Sequence, residues 1–198
     1  MDNKDNTILE NIVKMLTERK FLDINNLEKN YKNLLKDYTE ERIFKIKSDF
    51  SKEVYHLMIL PDKINTIIKK VQNLEQFCAN AGDNNKIIVG NFALKAYKQF
   101  LEKYNNIEIF FKQELLINII EHELQPKFIL LSKEEKKKKM EEYNLKQGNL
   151  QKILKTDAIA RYYNAKIGDI FRIIRPSFYS GEGYSYRIVI DAPVQNLV

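Results

Sequence analysis

The stretch IIRPSFYSGEGYSYR, residues 173–187, carries the clearest structural signal in this chain. The apolar run over 170–175 predicts a strand, and Pro176 is expected to end the regular pairing of that strand. The residues 177–183, rich in Gly and Ser, predict a loop, and residues 184–190 return as a second strand. The stretch therefore predicts two strands joined by a loop.

Elements on both sides of these strands predict a small α+β domain over residues 122–198. A Ser-Lys-Glu-Glu capping box at 132–135 opens a charged helix that continues to about Tyr143. Thr156 or Asp157 can cap a further short helix. Helices and strands in this order predict a short mixed sheet with helices packed against it.

The N-terminal 121 residues predict a separate α/β domain around a mostly buried sheet. Thr7 and Glu10 form a possible capping box for the first helix, and Pro61-Asp62 is expected to end the second strand. The predicted helices cover residues 7–19, 63–79 and 92–104, with a further short helix within 21–36. The predicted strands cover residues 43–47, 54–60, 87–89, 107–111 and 115–120.

The charge of the chain is concentrated in the C-terminal domain. The net charge is +6, with 19 basic and 18 acidic residues in 1–121, and 14 basic and 9 acidic residues in 122–198. Basic surface attracts nucleic acid or an acidic protein partner, and charge alone does not choose between them. The four consecutive lysines at 136–139 lie in a predicted helix with glutamates at 134, 135, 141 and 142, so that opposite charges occur at i and i+4. They therefore predict a solvated, self-paired surface, with a nucleic-acid or localisation role as the alternative.

Composition excludes several classes of protein. Cys78 is the only cysteine, which rules out a disulfide framework and fits a reducing compartment. No apolar run is long enough to span a bilayer, and the first residues lack the apolar core of a secretory signal. A folded protein that acts without insertion into a membrane is expected.

No residue pattern predicts a catalytic residue, a metal or a cofactor. His56 and His122 are the only histidines, and together with one cysteine they are too few for a structural zinc site. His122 is instead predicted to be a packed hinge residue between the two domains, together with Pro126. Cys78, among apolar neighbours, is predicted to be a small core residue.

The N-terminal domain also invites a nuclease interpretation. A strand that ends in Pro61-Asp62 resembles part of the active site of restriction-type nucleases. Those enzymes hold Mg²⁺ with an aspartate at the equivalent place and with the glutamate of a Glu-x-Lys on the next strand, beside the lysine. Glu108 is available, but Phe110 occupies the lysine position. This mismatch leaves a nuclease-like or nucleic-acid-binding α/β protein as the alternative interpretation of the chain.

Four blocks in a fixed order carry a resemblance to a known family. They are HELQPK at 122–127, DAIARYY at 157–163, IIRPS at 173–177 and YSYR at 184–187. With these blocks the chain resembles subunit 5 of the eukaryotic nuclear RNA polymerases, whose archaeal counterpart corresponds to the C-terminal domain alone. Residues 1–121 resemble the N-terminal jaw domain of that family in length and element order only.

The chain departs from the family pattern at two prolines. Gln151 stands where the family has the proline of a Leu-Pro-x-Ile element, and Ala158 follows Asp157 where Asp-Pro is usual. The resemblance thus describes a divergent member, of cellular or viral origin.

The resemblance implies a non-catalytic subunit of a DNA-directed RNA polymerase that has no cofactor. Its partners would be the largest subunit, on which the C-terminal domain docks, other polymerase subunits, and downstream DNA, which the jaw approaches and contacts weakly through phosphates. No membrane and no small-molecule substrate is expected. A cellular member would be nuclear, and a member from a large DNA virus would be in cytoplasmic factories or virions.

Arginine and tyrosine are the residues expected at the docking surface. Arginine offers a planar fork of donors for carboxylates and carbonyls, and tyrosine adds contact area at low entropic cost. An alternative role for some of these positions, and for Tyr162, Ile173 and Ile174, is packing inside the domain. The predicted partner-binding residues are Arg161, Arg172, Arg175, Tyr186 and Arg187.

Overall fold

A computed structural model describes residues 3–36, 41–64, 72–93, 97, 99, 102–104, 106–143 and 147–191. The chain divides into two compact units, Met1–Ile117 and Asn118–Val198. The division falls a few residues before the predicted boundary at 121/122, because Ile119 and Ile120 pack against the core of the second unit.

The first unit is a four-stranded sheet with helices, as the α/β prediction required. The strands are β1 (Ile43–Lys47), β2 (Val54–Ile64), β3 (Asn85–Phe92) and β4 (Ile107–Phe111), in the spatial order β1-β2-β3-β4. The helices are α1 (Asn3–Glu18), α2 (Leu27–Lys36), α3 (Gln72–Ala81) and α4 (Lys112–Leu116). Strand β1 is antiparallel to β2, while β2, β3 and β4 are parallel.

Strand β3 is the centre of this unit and is buried on both faces. Ile87, Ile88 and Val89 are completely buried, which is the burial expected of a uniformly apolar strand between parallel neighbours. Ile88 packs with Leu74 and other residues of α3 on one face. The helix α1 lies against the opposite face, where its end is joined to β4 by an ion pair described below.

Several local predictions for the first unit were wrong. Helix α1 begins at Asn3, so Thr7 lies inside the helix, and its hydroxyl donates to the Asn3 carbonyl. Strand β2 continues past Pro61 to Ile64, with a register shift after Ile59. The apolar run at 115–120 is helical at α4 and in a 3₁₀ turn over Ile119–Glu121. Periodicity cannot separate a strand from a helix over so short an apolar run.

Two predicted helices fall partly on undescribed residues. The predicted helix 63–79 includes residues 65–71, which lie outside the described part, and α3 begins at Gln72. Six of the thirteen residues of the predicted helix 92–104 also lie outside, and its first residue, Phe92, belongs to β3. Residues 97, 99, 102 and 103 are helical.

The second unit contains the predicted short mixed sheet. The strands are β5 (Lys127–Leu130), β6 (Gln151–Leu154), β7 (Ile170–Ser177) and β8 (Gly181–Ile190), and the order is β5-β7-β8-β6. Strand β7 is antiparallel to β5 and β8, and β6 is parallel to β8. The helices are α5 (Lys133–Glu142) and α6 (Ala158–Tyr162).

Both helices of this unit begin with the caps that the sequence predicted. The Ser132 hydroxyl accepts from the Glu135 N–H at 3.2 Å, and the Glu135 carboxylate accepts from the Ser132 N–H at 2.9 Å. The Asp157 carboxylate accepts from the Ile159 N–H at 2.9 Å and thereby caps α6.

The sheet of the second unit is covered on both faces. Phe171, Ile173 and Val189 are completely buried and pack with residues of α6 on one face. Ile170 and Ile188 pack with Leu131 and Met140 on the other face. Because side chains alternate along β7 and β8, the buried apolar side chains of these strands fall into two separate clusters, one on each face of the sheet.

The connection between β7 and β8 is shorter than predicted. Pairing continues through Pro176, opposite Glu182, to Ser177, opposite Gly181, so the predicted loop at 177–183 is reduced to a turn at 178–180. Strand β5 pairs with β7 only as far as Ile174. Beyond that point a proline can occupy the ladder because its nitrogen can face an edge where no donor is required.

Candidate partner-binding surface

The hairpin of β7 and β8 divides the predicted partner-binding residues between two faces. Arg172 lies opposite Tyr186, and Arg187 lies opposite Phe171. Paired residues share a face and successive residues alternate. Arg172 and Tyr186 therefore lie on the face of Met140, while Arg175 and Arg187 lie on the face of Phe171.

Three of these arginines have no carboxylate partner among the residues that the structure describes: Arg172, Arg175 and Arg187. The Nε–H groups of Arg172 and Arg187 are buried and have no acceptor within this described set. In the first unit, by contrast, Arg19 binds Glu108 through two hydrogen bonds. A guanidinium without an internal acceptor is available to carboxylates and carbonyls of a partner.

Tyr186 is partly packed and partly accessible. Its ring lies 5.9 Å from the ring of Tyr143, and it packs against the apolar cluster that contains Ile188. Burial raises the pKa of Tyr186, and the neighbouring Tyr143 adds to that effect. Tyr186 therefore packs against the sheet, and because it is only partly buried it can also contact a partner.

Tyr184 extends the aromatic surface on the same face. Its hydroxyl donates to the Glu182 carboxylate at 2.6 Å, and that hydrogen bond raises the pKa of Tyr184. The ring is 56% exposed. Tyrosine rings with their hydroxyls already hydrogen-bonded offer flat apolar area to a partner.

A second group of predicted residues lines a cleft of about 550 Å³. The cleft brings together the end of the first sequence block, Leu124 and Pro126, with Arg175 and Pro176 of the third block. Leu124 is 85% exposed. The two blocks, far apart in sequence, thus form one surface with apolar walls, the cation of Arg175 and the carboxylate of Glu123.

His122 shapes the turn that leads into this cleft. Its Nδ1 accepts from the Leu124 N–H at 3.2 Å, and its carbonyl accepts from the Gln125 N–H at 2.9 Å. The histidine and Pro126 lie between a 3₁₀ turn and β5. His122 is exposed, so the prediction that it is packed was wrong, because the turn at its position lies on the surface. The role of His122 and Pro126 as a hinge between domains stays a prediction.

Arg161 is not part of the hairpin but lies on the face of the sheet that also carries Arg175 and Arg187. It belongs to α6, whose Ile159 and Ala160 pack against the face of Phe171. Tyr162 beside it is 5% exposed, and Ile173 is fully buried, which fits the packing interpretation of both residues. The five predicted partner-binding residues therefore do not form one continuous patch.

Sequence reasoning missed the two most exposed aromatic residues of the described part of the chain. Phe178 and Tyr179 form the turn between β7 and β8, are each 96% exposed, and contact each other edge to face at 5.4 Å. The available signal was a pair of adjacent aromatics shortly before a glycine. Large exposed apolar side chains in a cluster are typical of interaction sites.

Glu108, the carboxylate compared above with a nuclease site, has a structural role in the first unit. The Glu108 carboxylate binds Arg19, and it also accepts from the Tyr55 hydroxyl at 3.4 Å. No group of histidine, cysteine, aspartate and glutamate side chains that could hold a metal ion occurs in the described part of the chain. Cys78 is buried, and this burial raises the pKa of its thiol.

His56 is buried beside two lysines on the face covered by α3. It lies opposite Lys45 on β1 and Lys86 on β3, and its ring contacts Phe77 edge to face. Burial lowers the pKa of His56, and the two lysines lower it further. In the described residues, no helix is both long enough and apolar enough to cross a membrane.

These features define a class: a two-unit protein with an α/β unit, and an α+β unit whose mixed sheet presents a hairpin of arginines and tyrosines. Residues 117–189 match the family model described as RNA polymerase Rpb5, C-terminal domain. The DNA-directed RNA polymerase subunit 5 of Acanthamoeba polyphaga mimivirus is 35% identical over 95% of this chain and 93% of its own length. The rpabc1 subunit of DNA-directed RNA polymerases I, II and III of Dictyostelium discoideum is 33% identical over 73% of this chain and 75% of its own length.

The chain belongs to the family of subunit 5 of the DNA-directed RNA polymerases. A related RPABC1 subunit of Caenorhabditis elegans is 39% identical over 42% of this chain and 40% of its own length. The protein is accordingly a polymerase subunit that acts in transcription, and its partners are other polymerase subunits. The resemblance stated from the sequence blocks is confirmed.

Proposed function

We propose that this protein is a non-catalytic subunit that docks on the largest polymerase subunit through its second unit. The observation that carries the proposal is the set of three hairpin arginines without a carboxylate partner among the described residues, Arg172, Arg175 and Arg187. Half-buried arginines such as Arg172 and Arg187 are normally paired, and a partner surface with carboxylates or carbonyls would supply what this unit lacks. The exposed Arg175 adds a cation at the cleft beside them.

The exposed apolar residues around the cleft support the same role. Leu124 and the pair Phe178 and Tyr179 are among the most exposed large apolar side chains of the second unit. An interface typically combines aromatic and apolar anchors at its centre with directional polar contacts. Arg175, which lines the cleft with Leu124, would supply such a polar contact.

The first unit is proposed to form part of the jaw near downstream DNA. Its sequence is nearly neutral, with 19 basic and 18 acidic residues over 1–121. Contacts to DNA would therefore be few, made to phosphates, and weakened by salt. In this proposal catalysis belongs to the assembled polymerase, in a nucleus for a cellular polymerase or in a viral factory or virion for a viral one.

The docking proposal is tested by co-purification. The tagged chain is expressed with its polymerase, and recovery of the two large subunits is quantified by mass spectrometry for wild type, Arg175→Glu and a matched control, Lys155→Glu. Recovery should fall sharply for Arg175→Glu and stay unchanged for Lys155→Glu, an exposed lysine beyond β6. Equal recovery in all three proteins would remove Arg175 from the interface, and a free monomeric wild-type chain would refute docking as a whole.

The alternative of a stand-alone nucleic-acid-binding or nuclease-like protein has its own test. Duplex DNA is incubated with the purified chain and Mg²⁺, and cleavage is compared with that by Asp62→Ala. Cleavage that this substitution abolishes would favour the alternative. The engagement of Glu108 by Arg19 argues against it, because that carboxylate already has a cationic partner.

A further inference from the structure

A groove of about 660 Å³ runs along helix α5 in the second unit. One wall is the helix itself, and the other is the turn at 167–169. Its cationic lining consists of Lys133, Lys136 and Lys137, and its apolar lining consists of Leu131, Met140 and Ile167. None of these residues belongs to the hairpin surface described above.

The three lysines of the groove differ in how they are engaged. The Lys136 ammonium donates to the Gly168 carbonyl at 2.6 Å and so joins the two walls. Lys133 and Lys137, one helical turn apart, have no carboxylate partner in the described part of the chain. The nearby Lys139, which does not line the groove, is already paired with Glu142 at 2.7 Å. Among the described residues, only Lys139 of the run pairs with a carboxylate, whereas the sequence predicts a mostly self-paired surface.

The two carboxylates that line the groove make no ion pair with Lys133 or Lys137 among the described residues. Asp169 accepts from the Lys166 N–H at 2.8 Å, which holds the turn together. Glu141 lies on the next turn of the helix and makes no ion pair with Lys133 or Lys137. Three lysines and two carboxylates line the groove, so its lining keeps a net charge of +1, and Lys133 and Lys137 make no ion pair within the described residues.

The floor of the groove is apolar. Leu131 and Met140 belong to one apolar cluster of the unit, and Ile167 projects from the opposite wall with 57% of its surface exposed. Phosphate groups of a nucleic acid would use the lysines but leave this floor uncovered. A peptide with both carboxylates and an apolar side chain would use the lysines and the floor together.

We propose that this groove binds a short acidic segment of another protein, with carboxylates on Lys133 and Lys137 and an apolar side chain against Met140 and Ile167. The proposal goes beyond membership of a polymerase and does not depend on the hairpin docking surface. It requires only charge complementarity at the two lysines and apolar contact at the floor.

The probe is a short fluorescein-labelled peptide that alternates aspartate with leucine, measured by fluorescence anisotropy against the full chain at low salt. Lys133→Ala combined with Lys137→Ala should weaken binding about tenfold, because two partly exposed ion pairs are lost. The matched control, Lys138→Ala combined with Lys152→Ala, removes the same charge outside the groove and should leave the affinity within about twofold. Ile167→Ala should weaken binding of this peptide by several-fold.

Three comparisons decide the proposal. An aspartate–alanine peptide that binds as tightly as the aspartate–leucine peptide would refute the role of the apolar floor. Equal affinity of the groove variant and the control variant would show attraction to net charge alone and would overturn the site. Binding of single-stranded oligothymidylate, lost in the groove variant, without binding of the acidic peptide would overturn it in favour of nucleic acid.

Discussion

Arg19 at the end of α1 and Glu108 on β4 form a two-pronged ion pair, with Nη2 to Oε2 at 2.7 Å and Nη1 to Oε1 at 3.0 Å. The two side chains are 6% and 18% exposed. The pair links the first helix to the last strand of the unit. Its shielding from water makes the loss of one partner costly, since the other charge would remain buried alone.

Glu108→Gln should therefore destabilise the protein by about 3–5 kcal/mol. The measurement is urea-induced unfolding followed by circular dichroism. Glu75→Gln is the control, because Glu75 pairs with Lys103 at 2.7 Å on the open surface. Its unfolding midpoint should stay close to that of wild type. A Glu108→Gln protein as stable as Glu75→Gln would contradict a structural role for the buried pair.

His56 predicts a loss of stability in acid. Its pKa is lowered in the folded protein, mainly by burial and further by Lys45 and Lys86, from an ordinary value of 6.5. The unfolded chain therefore binds a proton more readily, and the free energy of unfolding should decrease as the pH falls below about 6.5. Urea midpoints measured between neutral and mildly acidic pH should show this decrease.

Two variants test whether His56 causes this dependence of stability on pH. His56→Asn should flatten this part of the pH profile, and Lys45→Met should reduce its slope, because one of the repelling charges is removed. An unchanged slope in His56→Asn would assign the acid sensitivity to other groups.

Gly181 begins β8 with φ of +72°, in the left-handed region. An added Cβ would meet nothing within 4 Å, so the cost of Gly181→Ala is backbone strain alone. We expect a loss of about 1–2 kcal/mol in the free energy of unfolding. Gly183→Ala, two residues on and without a positive φ, is the comparison and should cost less. The reverse order would indicate that the turn can change its conformation.

Ala158 occupies the first helical position of α6, directly after the Asp157 cap. Proline is favoured at this position, where its missing N–H is not needed and its fixed φ suits the helix. Ala158→Pro should therefore stabilise the protein by about 0.4–1 kcal/mol. Thermal unfolding provides the measurement, and Ala160→Pro, inside the helix and buried, should be strongly destabilising. A destabilised Ala158→Pro would mean that the family's proline cannot be restored here.

Replacement of Phe178 and Tyr179 should affect the association of the protein with its partners but not its stability. Replacing both by serine should leave the free energy of unfolding within about 0.5 kcal/mol, because the rings lie in solvent. Recovery of the large polymerase subunits with the tagged variant should nevertheless fall, if these rings anchor the proposed interface. Full recovery together with unchanged stability would exclude the pair from that interface.

Local chemistry predicted some elements of this fold well. The strand around Ile88 follows from a run of apolar β-branched residues, and the caps at Ser132 and Asp157 follow from short side chains that accept N–H bonds. Each of these signals is complete within a few neighbouring residues. That is why the sequence alone was sufficient for them.

Other features depend on neighbours that are distant in sequence. The cleft joins Leu124 to Arg175 only because β5 pairs with β7 and brings the start of the unit beside the end of the hairpin. The division of Arg172 and Arg175 between two faces depends on strand register, which the residue types do not reveal. The exposure of Phe178 depends on how tightly the turn closes.

The continuation of pairing through Pro176 has a consequence for self-association. Between Arg175 and Ser177, β7 has only β8 as a partner among the described strands, so its outer side pairs with no strand and borders the cleft lined by Leu124 and Pro126. A free edge is a template on which a second copy of the chain could add a strand, and proline offers it no N–H. Pro176, which the sequence predicts to end the strand, thus withholds an N–H that a second copy of the chain would need in order to pair there. This protects the edge from aggregation, next to the turn where the rings of Phe178 and Tyr179 are exposed.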